Sequence, residues 1–124
     1  MFRQSLAALL LMLGTAGAQA ADNVLECKIH VTRGTNQWDY TRRYEIYFDT
    51  NSVVESINGG GGWTAEANLQ LDVADNTKYV FSGDGIKSSK IDRHTGEYFQ
   101  EDDRGIARGK CHTDNAGKQG PPIL

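Results

Sequence analysis

After its first twenty residues this chain has no apolar run approaching the ~20 residues that a bilayer-spanning helix needs. No membrane insertion is expected beyond that point. A basic excess is missing too. Removal of Met1–Ala20, whose only charge is Arg3, leaves 12 Lys and Arg against 16 Asp and Glu, a net charge of −4. A general nucleic-acid binder would carry the opposite sign, so nucleic acid is not an expected partner. Catalytic motifs are also absent: there is no G-x-S-x-G, H-E-x-x-H, Walker or Rossmann pattern. The run Gly59-Gly60-Gly61-Gly62 is not followed by Lys-Ser or Lys-Thr and opens no helix, so it is not a phosphate loop. Glu101-Asp102-Asp103-Arg104-Gly105 lacks the D-x-D-x-D-G spacing of a calcium loop. Cysteine is scarce: Cys27 and Cys111 are the only two, and no C-x-x-C exists. Two thiols this far apart in sequence do not suggest zinc or redox chemistry, and no cofactor or metal is expected.

What is present begins with the amino terminus. Arg3 supplies a positive charge, Leu6 to Leu13 an apolar stretch, and Ala18-Gln19-Ala20 an A-x-A cleavage site. Residues 1–20 therefore read as a signal peptide, with a mature chain of 104 residues starting at Ala21 and a periplasmic or secreted location. An uncleaved anchor fits less well, because the apolar run is short and ends at a good cleavage site. Lipidation at Cys27 fits poorly: Glu26 stands where a small residue is needed, and Cys111 would be left unpaired. In an oxidising compartment the two cysteines are expected to join. They would close a loop of 84 residues, stabilising the fold by up to about 4–5 kcal/mol by loop-closure entropy. If their strands were direct antiparallel neighbours, Lys28 would face Lys110 and His30 would face Arg108, which is unfavourable. That favours a bridge between sheets, or between offset strands.

A mature chain of this length makes one domain with a thin core. Most of it alternates with the period of two that marks half-buried strands. Leu25, Cys27, Ile29 and Val31 share one phase. Tyr40, Arg42, Tyr44, Ile46 and Phe48 share the next, followed by a strand over 52–57. Trp63, Ala65, Ala67, Leu69, Leu71 and Val73 again take every second position; 68–73 reads as strand, and 63–67 is left open because its Ala and Glu also suit a helix. Lys78–Ser82 carries Tyr79 and Phe81 on one face, Ile86–Asp92 and Gly96–Gln100 form a hairpin, and Gly105–His112 is the last strand. The expected class is all-β: an antiparallel meander of seven or eight short strands, as a small barrel or a sandwich, with one disulfide. The domain spans 21–112, and residues 113–124, with Pro121-Pro122, read as a disordered tail.

Ile91-Asp92-Arg93-His94-Thr95-Gly96-Glu97-Tyr98 suits a hairpin turn, with Asp92 accepting turn amides and Gly96 in a left-handed conformation. With Gly109-Lys110-Cys111, this stretch resembles small exported bacterial proteins of unknown function that pair an I-D-R-x-T-G-x-Y hairpin with terminal cysteines. The resemblance covers the last third of the chain plus Cys27, and it implies a fold but no activity. Arg93 and His94 are candidate binding residues in this turn, although hairpin chemistry alone accounts for its Asp, Thr and Gly. His30 and His112 lie on the polar phases of their strands, and with Glu26 they could approach one another for metal or acid–base chemistry. Trp38, in a polar turn, and Trp63, beside four glycines, are the aromatics most expected to be exposed; with Arg42 nearby they complete the candidate binding set. The expected function is a non-catalytic, exported binding domain for a protein of the cell envelope, inhibitor- or immunity-like. The alternatives are a carrier of an apolar ligand or a small hydrolase or metal enzyme. Partner identity and oligomeric state are not legible.

Overall fold

The computed structural model describes residues 20–83 and 86–113. The expected signal peptide, Ala20 excepted, and the expected tail beyond Thr113 lie outside the described residues. Eight strands follow in order: β1 (Asn23–Arg33), β2 (Asn36–Tyr47), β3 (Ser52–Asn58), β4 (Trp63–Ala74), β5 (Lys78–Gly83), β6 (Ile86–Asp92), β7 (Glu97–Asp102) and β8 (Gly105–Thr113). Each pairs antiparallel with the next, and β8 returns to β1, so the meander is a closed barrel and not a sandwich. Closure pairs β1 on both sides, while β2 over 36–41 is paired with β1 alone, because its ladder with β3 begins at Arg42.

The alternation in the sequence becomes inside and outside. Leu25, Cys27, Ile29 and Val31 of β1 point into the barrel with Tyr44 and Ile46 of β2, Val53, Leu69, Leu71, Tyr79, Phe81, Ile91 and Tyr98. The end of the barrel where β1 begins and β8 finishes is packed by the core side chains nearest it; Tyr44 lies 4.9 Å from Phe81 and 6.1 Å from Tyr98 between ring centroids. Two expectations about phase are corrected. Phe48 falls beyond the end of β2, in the turn, and is 43% exposed. The 63–67 segment is strand, but a register shift between Glu55 and Ser56 leaves Glu66 unopposed between Ala65 and Ala67, so the two-residue period is broken there. Thr113, expected in the tail, closes β8 and is buried.

Cys27 and Cys111 form the disulfide, directly opposite one another on β1 and β8 with Cα atoms 4.0 Å apart. The expected bridge between sheets or offset strands is thus corrected. Lys28 does face Lys110 and His30 does face Arg108. The unfavourable pairs are tolerated because each strand of a barrel has a second neighbour. From β2, Asp39 and Gln37 take both ring nitrogens of His30 at 2.6 and 3.0 Å. On β7, Glu97 stands opposite Lys110, and Arg108 lies 5.1 Å over the Phe99 ring. Opposed like charges on an exposed face cost about 1 kcal/mol at most, less than a long-loop disulfide contributes.

Two glycines let the seam close. A side chain at Gly109 would place Cβ 2.2 Å from the Lys28 carbonyl oxygen, and one at Gly105 would place it 2.1 Å from that of Thr32. Turns are tied by aspartates. Asp92 Oδ1 accepts the amides of His94 and Thr95 at 2.8 and 3.0 Å, as the sequence suggests, and Gly96 has φ of 80°. Asp75 and Asp102 do the same for Thr77 with Lys78 and for Arg104 with Gly105.

Candidate functional site

The two ends of the barrel differ. The end carrying the β1–β2, β3–β4 and β7–β8 turns is not packed solid by apolar side chains among the described residues. The lumen there forms two adjoining cavities of about 290 and about 230 Å³ that share Arg33, Tyr40, Arg42, Gln100 and Asp102 in their walls. Val31, Trp38, Ile106 and Ala107 belong to the outer cavity; Glu55, Glu66, Leu69, Ser89, Tyr98 and Arg104 belong to the inner one.

Arg42 is the centre of the site. It shares the inward phase of β2 with Tyr44 and Ile46, so the strand carries its charged head into the lumen. Nε lies 3.7 Å from Glu55 Oε2, and Nη2 lies 3.7 Å from Glu66 Oε1. Its guanidinium sits 4.3 Å over the Tyr40 ring. Nε is buried and has no hydrogen-bond partner among the described residues. Glu55 is one pleat beyond Val53, whereas Glu66 reaches the lumen through the bulge; bulges often re-aim a side chain in this way.

Behind Arg42 the carboxylate is held in place. Tyr44 donates its hydroxyl to Glu55 Oε2 at 2.8 Å, and the hydroxyls of Tyr98 and Ser89 bond each other at 3.2 Å. Burial pushes the Tyr40 hydroxyl up to about 12, and burial likewise raises Tyr44 and Tyr98. These phenols therefore stay protonated at any physiological pH and act as fixed donors or acceptors. Asp102, also in the wall, is held below the usual carboxylate range by the Arg104 amide first.

The five candidates from the sequence are split between the two ends. Trp38, 41% exposed, stands on the rim of the open end with the Arg33 guanidinium 5.6 Å from its ring. Arg42 lies inside that end. Trp63, partly exposed, starts β4 at the same end, where Arg43 on the outward phase of β2 comes within 5.9 Å of its ring. Arg93 and His94 are at the far end. Arg93 ties two turns together: Nη1 donates to the Asp75 carbonyl at 2.7 Å, its amide donates to the Thr77 carbonyl at 2.8 Å, and its guanidinium lies 4.5 Å from the Tyr79 ring.

The histidines do not converge. His112 Nε2 is 3.8 Å from Glu26, but His30 bonds across to β2 and His94 lies in the far turn. Among the described residues no group of three His, Cys, Asp or Glu could hold a metal ion. The sequence does not single out the lumenal residues Glu55 and Gln100, and Asp102 figures in it only within the acidic 101–103 run. The available signal was a polar residue on the same phase as an apolar one, as with Glu55 after Val53 and Gln100 after Tyr98. Glu66 carried no such signal, because the bulge is not visible in the sequence. Comparison with protein-family models, with curated proteins and with solved structures found no match.

Proposed function

We propose that this chain is an exported, non-catalytic binding domain that engages a protein of the cell envelope through the rim of its open end. Export rests on the signal sequence of residues 1–20, and the Cys27–Cys111 disulfide is consistent with an oxidising compartment. The observation that carries the binding role is Trp38. It is a large aromatic, 41% exposed, on a hydrogen-bonded strand and beside an arginine, the composition of an interface hot spot. Trp63 with Arg43 repeats this pairing nearby. A binder fits better than an enzyme because each histidine is placed apart from the others. A carrier of an apolar ligand fits less well, because the inner cavity is walled, Leu69 apart, by charged and hydrogen-bonding groups, although Val31, Ile106 and Ala107 line the outer one.

The test uses the mature domain, immobilised and exposed to envelope extract, followed by affinity measurement on the purified pair. Trp38→Ala is expected to weaken binding tenfold or more with an unchanged melting temperature. Trp63→Ala separates two roles: weaker binding with unchanged melting places it in the interface, whereas a loss of about 3 kcal/mol or more marks it as core. Undiminished affinity in the double variant, or failure to retain any protein, would refute the reading.

A further inference from the structure

We infer that the open half of the lumen is a binding site for a saccharide unit, a role that does not depend on the protein partner proposed above. The argument starts from charge. Arg33, Arg42 and Arg104 stand against Glu55, Glu66 and Asp102, so the wall is neutral in sum while remaining highly polar. A free anion or cation would find as much repulsion there as attraction. A hydrocarbon would strip water from six charged groups and return nothing to them. A sugar ring matches both halves of the wall, because each of its hydroxyls donates and accepts.

The geometry of Arg42 supports the same chemistry. Its contacts with Glu55 and Glu66, both 3.7 Å, are longer than a hydrogen bond, and its buried Nε lacks a hydrogen-bond partner among the described residues. A hydroxyl beside this triad can accept from the guanidinium and donate to either carboxylate, satisfying groups the protein leaves short. Gln100, in the wall of both cavities, donates one Nε2 hydrogen to the Lys87 carbonyl at 3.3 Å and keeps Oε1 and its second N–H for a ligand. At the rim, Trp38 supplies an aromatic face for the C–H side of the ring. The inner cavity, about 230 Å³, has the space of roughly eight waters, the scale of one hexose. The site is preorganised, since the Tyr44 hydroxyl fixes Glu55 before any ligand arrives.

A soluble oligosaccharide and a wall polymer present the same ring chemistry, and the experiment separates them. The full mature domain carrying Trp63→Phe keeps Trp38 as its single fluorescent indole. Maltotriose and chitotriose are titrated against it, with dodecanoate and acetate as apolar and anionic controls. A saturable change in emission with either trisaccharide, at least tenfold weaker in Glu66→Gln and in Gln100→Ala with unchanged melting, supports a soluble sugar. Retention on insoluble cell-wall glycan without a response to the trisaccharides, and lost in the same two variants, supports a polymer. Three results would overturn the inference: no response to any sugar or glycan, a response unaltered in both variants, or tighter binding of dodecanoate or acetate.

Discussion

The seam between β1 and β8 gives the sharpest test of the fold, through Gly109→Ala. The added Cβ would sit 2.2 Å from the Lys28 carbonyl oxygen, 2.9 Å from Ile29 Cα and 3.0 Å from the Lys28 carbonyl carbon. All three atoms are backbone, so no side-chain rotation relieves the clash. The strands must part by about 1 Å, which takes a ladder bond of about 2.9 Å beyond hydrogen-bonding range. They cannot splay freely, because the disulfide pins them two residues away at Cys111. Overpacking costs about 1–3 kcal/mol, and each lost bond about 1 kcal/mol more. The sum is about 3 kcal/mol, which for a domain of this size lowers the melting temperature by about 12–24 °C. Gly61→Ala is the control: its Cβ meets nothing within 4 Å, and the melting temperature should hold or rise slightly. Thermal unfolding followed by circular dichroism reads both variants. If Gly109→Ala melts within about 2 °C of the parent, the seam is not closely packed and the steric argument fails.

Two further outcomes follow from features already described. Replacing Cys27 and Cys111 together by Ser should lower stability, by up to about 4–5 kcal/mol, while leaving partner binding intact below the transition; an unchanged denaturant midpoint would show that the bridge adds nothing. Asp75, Asp92 and Asp102 each accept backbone amides, chiefly those of Thr77, Thr95 and Arg104, and each carboxyl is thereby held below its ordinary value. Their contribution is present above the unfolded value of about 3.9 and is lost as pH falls through the lower folded values. Changing all three to Asn keeps an acceptor that cannot be protonated, so the fall of melting temperature between pH 5 and pH 2, expected to be steep in the parent, should flatten. An equally steep fall in the triple variant would refute the linkage.

Most of the scaffold was legible because strand period and turn chemistry are local. Leu25 to Val31, Tyr79 with Phe81, and the Asp92–Gly96 turn follow from side chains within a few residues of one another. Three features were not legible because they depend on a distant strand. The sequence favours a disulfide between sheets because Lys28 would oppose Lys110 and His30 would oppose Arg108; the partners that offset these pairs, Glu97 on β7 and Asp39 with Gln37 on β2, lie on the outer neighbours of the two strands. The glycines at 105 and 109 read as ordinary strand residues until β1 lies against them. The lumenal site was only partly visible: Arg42 announces itself on an apolar phase, whereas Glu66 enters the lumen through a one-residue irregularity that no alternation predicts.

The disulfide has a consequence for resistance to proteolysis. Every hairpin turn of the meander lies between Cys27 and Cys111. A protease that cuts any one of them, the glycine-rich connection at 59–62 included, yields two fragments still joined covalently through the seam. The cut ends remain tethered at high effective concentration, so the nicked barrel can close again without finding its other half by diffusion. A second cut is needed before any strand can leave.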